Sequence, residues 1–218
     1  MKSKASPTQK TLNVWAIILI IWSVYRAKFR LPEWFDEFVA KPVVFVLPVL
    51  YYIKRYEKKD IFSALDIRLK LKLQDVLLVL SIGGIFAISA FMANFLKFHK
   101  VVLFQNPLQL QAFVYIIVMA LVTGISEEIL SRGFVLKRLY AESKNIYTAS
   151  FFASVLFFFL HVPILFTNLK LTGNLLLMFM AMDMILSLVN SFVFLERKNL
   201  VLPILIHTFY NLTIILFL

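Results

Sequence analysis

The chain is expected to fold as an all-α, polytopic transmembrane helical bundle of about seven helices. Three observations predict this. The 218 residues are 61% hydrophobic and only 16% charged, and mean hydropathy is +0.85, which leaves too little polar surface for a soluble domain. Several apolar runs approach the ~20 residues a helix needs to cross a bilayer. Basic residues gather between those runs, as they do in cytosolic loops. The net charge of +11 therefore reflects membrane topology. Nucleic-acid binding, which calls for a basic face on a soluble fold, is not expected.

Lys2, Lys4 and Lys10 precede the first segment, residues 12–25. The chain continues Arg26-Ala27-Lys28 with no small-residue cleavage site, so a retained helix is expected, not a removable leader. A polar linker, 26–37, leads to segment two, 38–53, where Lys41, Pro42 and Pro48 predict a kinked or partly inserted helix. Residues 54–75 form a charged connection. Within it, 67–73 alternates apolar and polar residues, a period of two that suits a short strand or an extended strip on the lipid headgroups.

Segment three is 76–98. Segment four begins near Gln111 and continues to about Tyr140, followed by a turn at Glu142-Ser143-Lys144-Asn145. Segments five, six and seven are 146–162, 174–195 and 200–218. Residues 1–110 carry the first helices and the basic loop, and 111–218 form the core that holds the chemistry, the two making one integrated membrane domain. Fifteen Lys and Arg fall on the N-terminal side of this arrangement and seven on the other, Arg132 left aside. The positive-inside rule then puts the N-terminus in the cytosol of a multi-pass protein of the cell membrane.

The absence of cysteine excludes disulfides, thiolate metal sites and cysteine nucleophiles. Interest falls on Ser126-Glu127-Glu128-Ile129-Leu130-Ser131-Arg132, which closes a long apolar run. An ionised side chain in the bilayer costs several kcal/mol unless paired or hydrated, and marks function by default. Segments four and five form a helical hairpin. Glu127 and His161 each lie 17 residues from Lys144, so they share a depth about 25 Å of helix from the turn at ~1.5 Å per residue. His207 and Asn211, spaced i,i+4, share one face of segment seven. Phe157 and His161 share a face in the same way, as do Glu128 and Arg132 in the order that suits a helix ion pair. Glu127 and Glu128 project about 100° apart, against a proton-sharing dyad. His99 is expected at the interface, Asp183 in a polar network, and Asn190 in helix packing.

These residues resemble a known family. Glu127-Glu128-Ile129-Leu130-Ser131-Arg132 looks like its E-E-x-x-x-R motif, Phe157 through His161 like F-x-x-x-H, and His207 through Asn211 like H-x-x-x-N. The three stand in order on separate helices with one helix between the second and third. This is the pattern of the CPBP family, the CAAX-protease and bacteriocin-processing (abortive-infection) proteins. The resemblance implies an intramembrane endopeptidase that cuts a membrane-associated peptide or protein tail. It implies that Glu127 and His161 activate water, that His207 and Asn211 stabilise the oxyanion, and that Glu128, Arg132 and Phe157 support the site. Amide hydrolysis needs those parts: a base for water, a proton for the leaving amine and a stabiliser for the developing charge. A polar cavity open to the cytosol is expected to supply the water.

No metal is favoured, since H-E-x-x-H is absent. If zinc takes part, Glu127, His161 and His207 are its expected ligands. The expected partners are the lipid bilayer and a peptide or membrane-protein substrate, and the resemblance links the chain to bacteriocin immunity or peptide processing. Two other classes compete: a non-enzymatic scaffold or immunity protein that keeps the motifs as a polar core, and an ion or proton carrier, which the lack of internally repeated halves disfavours.

Overall fold

The computed structural model describes residues 6–29, 31–100, 110–167 and 173–217. Lys2, Lys4, Arg30 and Lys170, counted in the charge asymmetry above, and Leu218 lie outside them. The described residues form eight helices and no strand. The helices are α1 (Pro7–Lys28), α2 (33–57), α3 (Ile61–Ala64), α4 (Leu73–Phe98), α5 (110–143), α6 (Ile146–Thr167), α7 (Gly173–Arg197) and α8 (Val201–Phe217). The seven long ones correspond to the seven expected segments, and α3 is a single turn inside the charged connection. Four stretches are long and apolar enough to cross a bilayer: Leu73–Leu96, Phe113–Ser143, Ile146–Pro163 and Leu176–Arg197. Val201–Leu216 is apolar but shorter.

The helix ends follow local chemistry. Ser6 accepts the Gln9 amide at 3.1 Å and Pro7 opens α1, both ordinary first-turn devices. Asn145 Oδ1 accepts the Thr148 amide at 3.0 Å to start α6. Lys58, Lys144 and Lys198 end α2, α5 and α7 in the left-handed region. Each gives up the ease of a glycine there but places a cation at a helix C-terminus, where the exposed carbonyls favour it. All three turns lie on one face of the bundle with the N-terminus. There Thr8 donates to the Arg138 carbonyl and Arg138 donates to Glu57. Lys137 pairs with Asp66 at 2.7 Å. The basic segments thus converge on the single face that the charge count assigns them.

Segment two departs from expectation. It is helical throughout 33–57 and begins nearer to α1 than the polar linker implied. Around its prolines it is wound as π-helix over Asp36–Ala40, Pro42–Val46 and Ile53–Glu57. Proline removes an amide donor and crowds the preceding turn, and widening the turn accommodates both. The Lys41 amide accordingly reaches five residues back to the Asp36 carbonyl. The alternating stretch before α4 is not a strand: it is one extended segment without a ladder. Asn199 takes the partner strand's place, accepting the Arg68 amide at 3.1 Å and donating to its carbonyl at 3.0 Å.

Two apolar clusters hold the bundle. The larger joins Trp15, Ile18 and Trp22 of α1 and Phe45, Val49 and Ile53 of α2 to Leu130, Phe134 and Leu136 of α5. Leu65 and Leu200 close it at the basic face. The smaller gathers Val79 and Phe86 of α4, Leu186 of α7, and Leu202, Ile206 and Tyr210 of α8. Gly133 permits the first cluster to close, because a Cβ there would stand 2.9 Å from Leu65 Cδ2. The result is a solid apolar layer beneath the middle of the bundle.

The cysteine-free background makes sidedness measurable. Single cysteines replacing Lys58, Lys144 and Lys198 are expected to react with a membrane-impermeant thiol reagent from one side of a sealed vesicle, and one replacing His99 from the other. Labelling of Lys58→Cys together with His99→Cys would overturn this placement of α2.

Candidate active site

Halfway along α5 the helix widens into π-helix at Ile129–Leu136, directly after Glu127 and Glu128. A π-turn shifts register and is frequent at functional sites. Here it lets Glu128 and Arg132 meet while Glu127 turns towards α2, α6 and α8. Both carboxylates are buried, Glu128 completely.

Glu128 anchors a buried network through one oxygen, its Oε2 making no hydrogen bond with a described residue. Its Oε1 accepts from Arg132 Nη1 at 3.0 Å and from Asn190 Nδ2 at 2.9 Å. It lies 2.8 Å from His207 Nδ1. A carboxylate oxygen can only accept here, so Nδ1 of His207 carries the hydrogen. Arg132 Nη2 donates to Ser187 at 2.7 Å, and its guanidinium lies over the Phe157 ring, 4.4 Å from the centroid. The Phe157 ring is also 4.6 Å from that of His161. One aromatic side chain thereby touches the buried cation and a candidate catalytic imidazole.

Glu127 faces the other way. Its Oε1 accepts from Lys41 Nζ at 2.8 Å. Its Oε2 lies 3.4 Å from His161 Nε2 and 3.6 Å from His207 Nε2 and makes no hydrogen bond with a described residue. His161 directs Nδ1 at the Phe157 carbonyl, 3.2 Å away, and a carbonyl also only accepts. Nε2 of each imidazole is thereby left facing the same carboxylate oxygen, where it accepts when the ring is neutral and donates when it is protonated. The three polar atoms converge on one point, a setting that suits a water molecule.

The hairpin symmetry that put Glu127 level with His161 holds to within contact distance, and the i,i+4 pairing of Glu128 with Arg132 is present. His207 bridges the two carboxylates, one ring nitrogen towards each. Asn211 stands apart from this cluster. It lines a cavity of about 180 Å³ with Glu37, Met119 and Thr123 and makes no hydrogen bond with a described residue. Asp183 accepts from Tyr210 at 3.3 Å. Asn190, expected as a packing residue, is a ligand of the Glu128 network and also donates to the Pro203 carbonyl at 3.2 Å.

Sequence reasoning missed Lys41 and Glu37. Lys41 was an obstacle to insertion; in the fold it is buried and bonded to both Glu127 and Glu37, the latter at 2.6 Å. Glu37 Oε2 in turn accepts from Thr123 at 2.6 Å. An intramembrane lysine needs a carboxylate, and that rule was the available signal. Glu37 and Lys41 also line a larger cavity of about 430 Å³ beside Arg26, Glu33 and Asp36.

A close helix contact sets the depth of the cluster. At Gly124 a Cβ would meet the Ile204 carbonyl at 3.2 Å and Thr208 Oγ1 at 3.3 Å, so glycine lets α8 approach α5 one turn from Glu127. Among the described residues no group of three His, Asp or Glu is arranged to hold a metal ion. Lys41 already sets a cation against Glu127.

Residues 109–213 match the family described as type II CAAX prenyl endopeptidase Rce1-like. The match covers all three motifs and excludes α1 and α2. No curated protein and no solved structure matches the chain.

Replacing Lys41 by methionine removes the cation that pairs with the buried carboxylates Glu37 and Glu127. Breaking a buried pair from one side typically costs about 3–5 kcal/mol, and a loss of that order is expected in detergent unfolding of Lys41→Met. Adding Glu127→Gln to Lys41→Met is expected to recover part of it. Equal stability of Lys41→Met and the unaltered chain would show that the pair is dispensable.

Proposed function

Because residues 109–213 belong to the Rce1-like CAAX prenyl endopeptidase family, we propose that the chain is an intramembrane endopeptidase in which Glu127 activates water against a peptide bond. The observation that carries this reading is the free Oε2 of Glu127, buried and faced by Nε2 of both His161 and His207. Among the described residues Glu128 Oε2 is likewise without a hydrogen-bond partner, so what sets Glu127 apart is the pair of imidazoles that face its open oxygen.

In the proposed reaction, water between Glu127 and His161 attacks the carbonyl carbon of the scissile bond. Its proton passes to Glu127 Oε2 as the new C–O bond forms. The carbonyl oxygen becomes an oxyanion, stabilised by Nε2–H of His207 in its protonated form and by the amide of Asn211. Collapse breaks the C–N bond, and the proton first taken from water is delivered to the leaving amine through the Glu127–His161 pair. Lys41 holds Oε1 so that Oε2 stays turned to the imidazoles. Glu128, fixed by Arg132 and Asn190, holds the His207 ring in one tautomer and one orientation. Phe157 supports His161 and Arg132 by ring contact.

Metal-free hydrolysis belongs to this proposal, supported by the lysine beside Glu127. The substrate is a membrane-associated peptide or protein tail, in the setting of peptide processing or bacteriocin immunity, and the protein is multi-pass in the cell membrane with its N-terminus in the cytosol. The scaffold reading draws on the enclosed Glu128 network but leaves the orientation of Glu127 without a purpose.

Glu127→Ala and His161→Ala are each expected to insert and fold while slowing cleavage by at least about 10²-fold, the usual contribution of a positioned acid or base. Substrate comes from mass spectrometry of membrane peptides that accumulate in Glu127→Ala cells. Unaltered processing in both variants at matched expression would sink the enzyme reading. Purified active protein is expected to carry sub-stoichiometric zinc and to keep its rate after chelation. A rate lost to chelator and restored by Zn²⁺ would reverse the metal-free assignment.

A further inference from the structure

Among the described residues, the cavities that touch the polar groups of the site lie at one end of the bundle. The two cavities that touch its network, about 430 and 180 Å³, are lined by Arg26, Glu33, Glu37, Lys41, Thr123 and Asn211, among others. All of these lie beyond Glu127 on the side where α1 ends, α2 begins and α8 ends. In the opposite direction, towards the basic face, the site rests on Leu130, Phe134, Leu136, Leu65 and Leu200, none with measurable exposure. Cavities do open at the basic face, beside Arg197 and beside Arg138, but none of their lining residues belongs to the Glu127 or Glu128 networks.

The basic face is the one that the charge asymmetry holds in the cytosol. From these two observations we infer that the reaction chamber opens on the extracytoplasmic face and takes a peptide or protein segment presented there. This differs from the expectation of a cavity open to the cytosol, and as a statement about substrate it rests on the proteolytic reading of the site. The geometry gives the chamber a polar wall and an apolar floor. Glu37, held by Lys41 and Thr123, stands on that wall between the two cavities. Water reaches Glu127 along the same wall, so substrate and solvent share one mouth.

The test needs no substrate and no activity. Single-cysteine variants Thr123→Cys and Ile214→Cys line the chamber, and Ala153→Cys lies in the apolar floor. His99→Cys and Lys144→Cys mark the two faces. Each is treated in intact cells, and again after permeabilisation, with a membrane-impermeant maleimide. Thr123→Cys and Ile214→Cys are expected to label in intact cells to the extent of His99→Cys. Lys144→Cys is expected to label only after permeabilisation, and Ala153→Cys in neither condition. Labelling of the chamber cysteines only after permeabilisation, or in neither condition, overturns the inference. So does labelling of Lys144→Cys in intact cells, or of Ala153→Cys in either condition. Thermal unfolding in detergent confirms that each variant is folded, with Thr123→Cys and Ile214→Cys standing in for one another. Loss of the protease reading leaves the labelling result untouched, so the two can fail separately.

Discussion

A carboxylate at the centre of a helical bundle has to be met by a cation, and Glu127 is met by Lys41, a residue 86 positions away in sequence. Much of the architecture can be understood as what this pairing requires. The lysine must be carried to mid-membrane depth on a helix that also contains Pro42 and Pro48. Wide π-turns on either side of Lys41 let that helix continue through the prolines. In α5 a second wide stretch starts immediately after Glu128, and the ~100° between adjacent helical residues sets the two carboxylates on different neighbours.

The two carboxylates then divide the work. Glu128 is surrounded by donors from its own helix, from α7 and from α8, and behaves as a fixed post. Glu127 is held at Oε1 by Lys41 and turns Oε2 to two imidazoles. His207 connects them, and its Nδ1 hydrogen bond settles which nitrogen faces the open oxygen. An alteration at Glu128 is therefore felt at Glu127 through the angle of one ring, although the two side chains share no bond.

The fold class, the seven long helices and the hairpin depth were legible because they depend on local quantities: run length, turn residues and rise per residue. The same arithmetic put Glu127 level with His161. It worked although α5 is not uniform, since the π-stretch displaces side chains by less than the spacing between neighbouring turns. Lys41 was illegible for the opposite reason. Its neighbours Pro42 and Pro48 are read by rule as helix breakers, and the compensating π-turns are a tertiary response that no local rule contains. Asn190 was taken for packing because a lone asparagine in a membrane helix usually bonds to a neighbouring backbone. It does bond to Pro203, but its second hydrogen is spent on Glu128. The alternating segment before α4 left strand and extended strip both open, because period two describes an extended chain whether or not a second strand is present, and here Asn199 serves in that strand's place.

The apolar layer formed by Leu65, Leu130, Phe134, Leu136 and Leu200 has a consequence for the cell that houses the protein. Hydrolysis requires water and mobile protons deep in the bilayer, and a chain of carboxylates and imidazoles conducts protons readily when it is wetted at both ends. With a dry floor between the site and the basic face, the chain is wetted at one end only. The bundle can admit solvent to a peptide bond without short-circuiting the transmembrane ion gradient. Under the proposed one-sided opening, those five side chains would provide electrical insulation as well as stability.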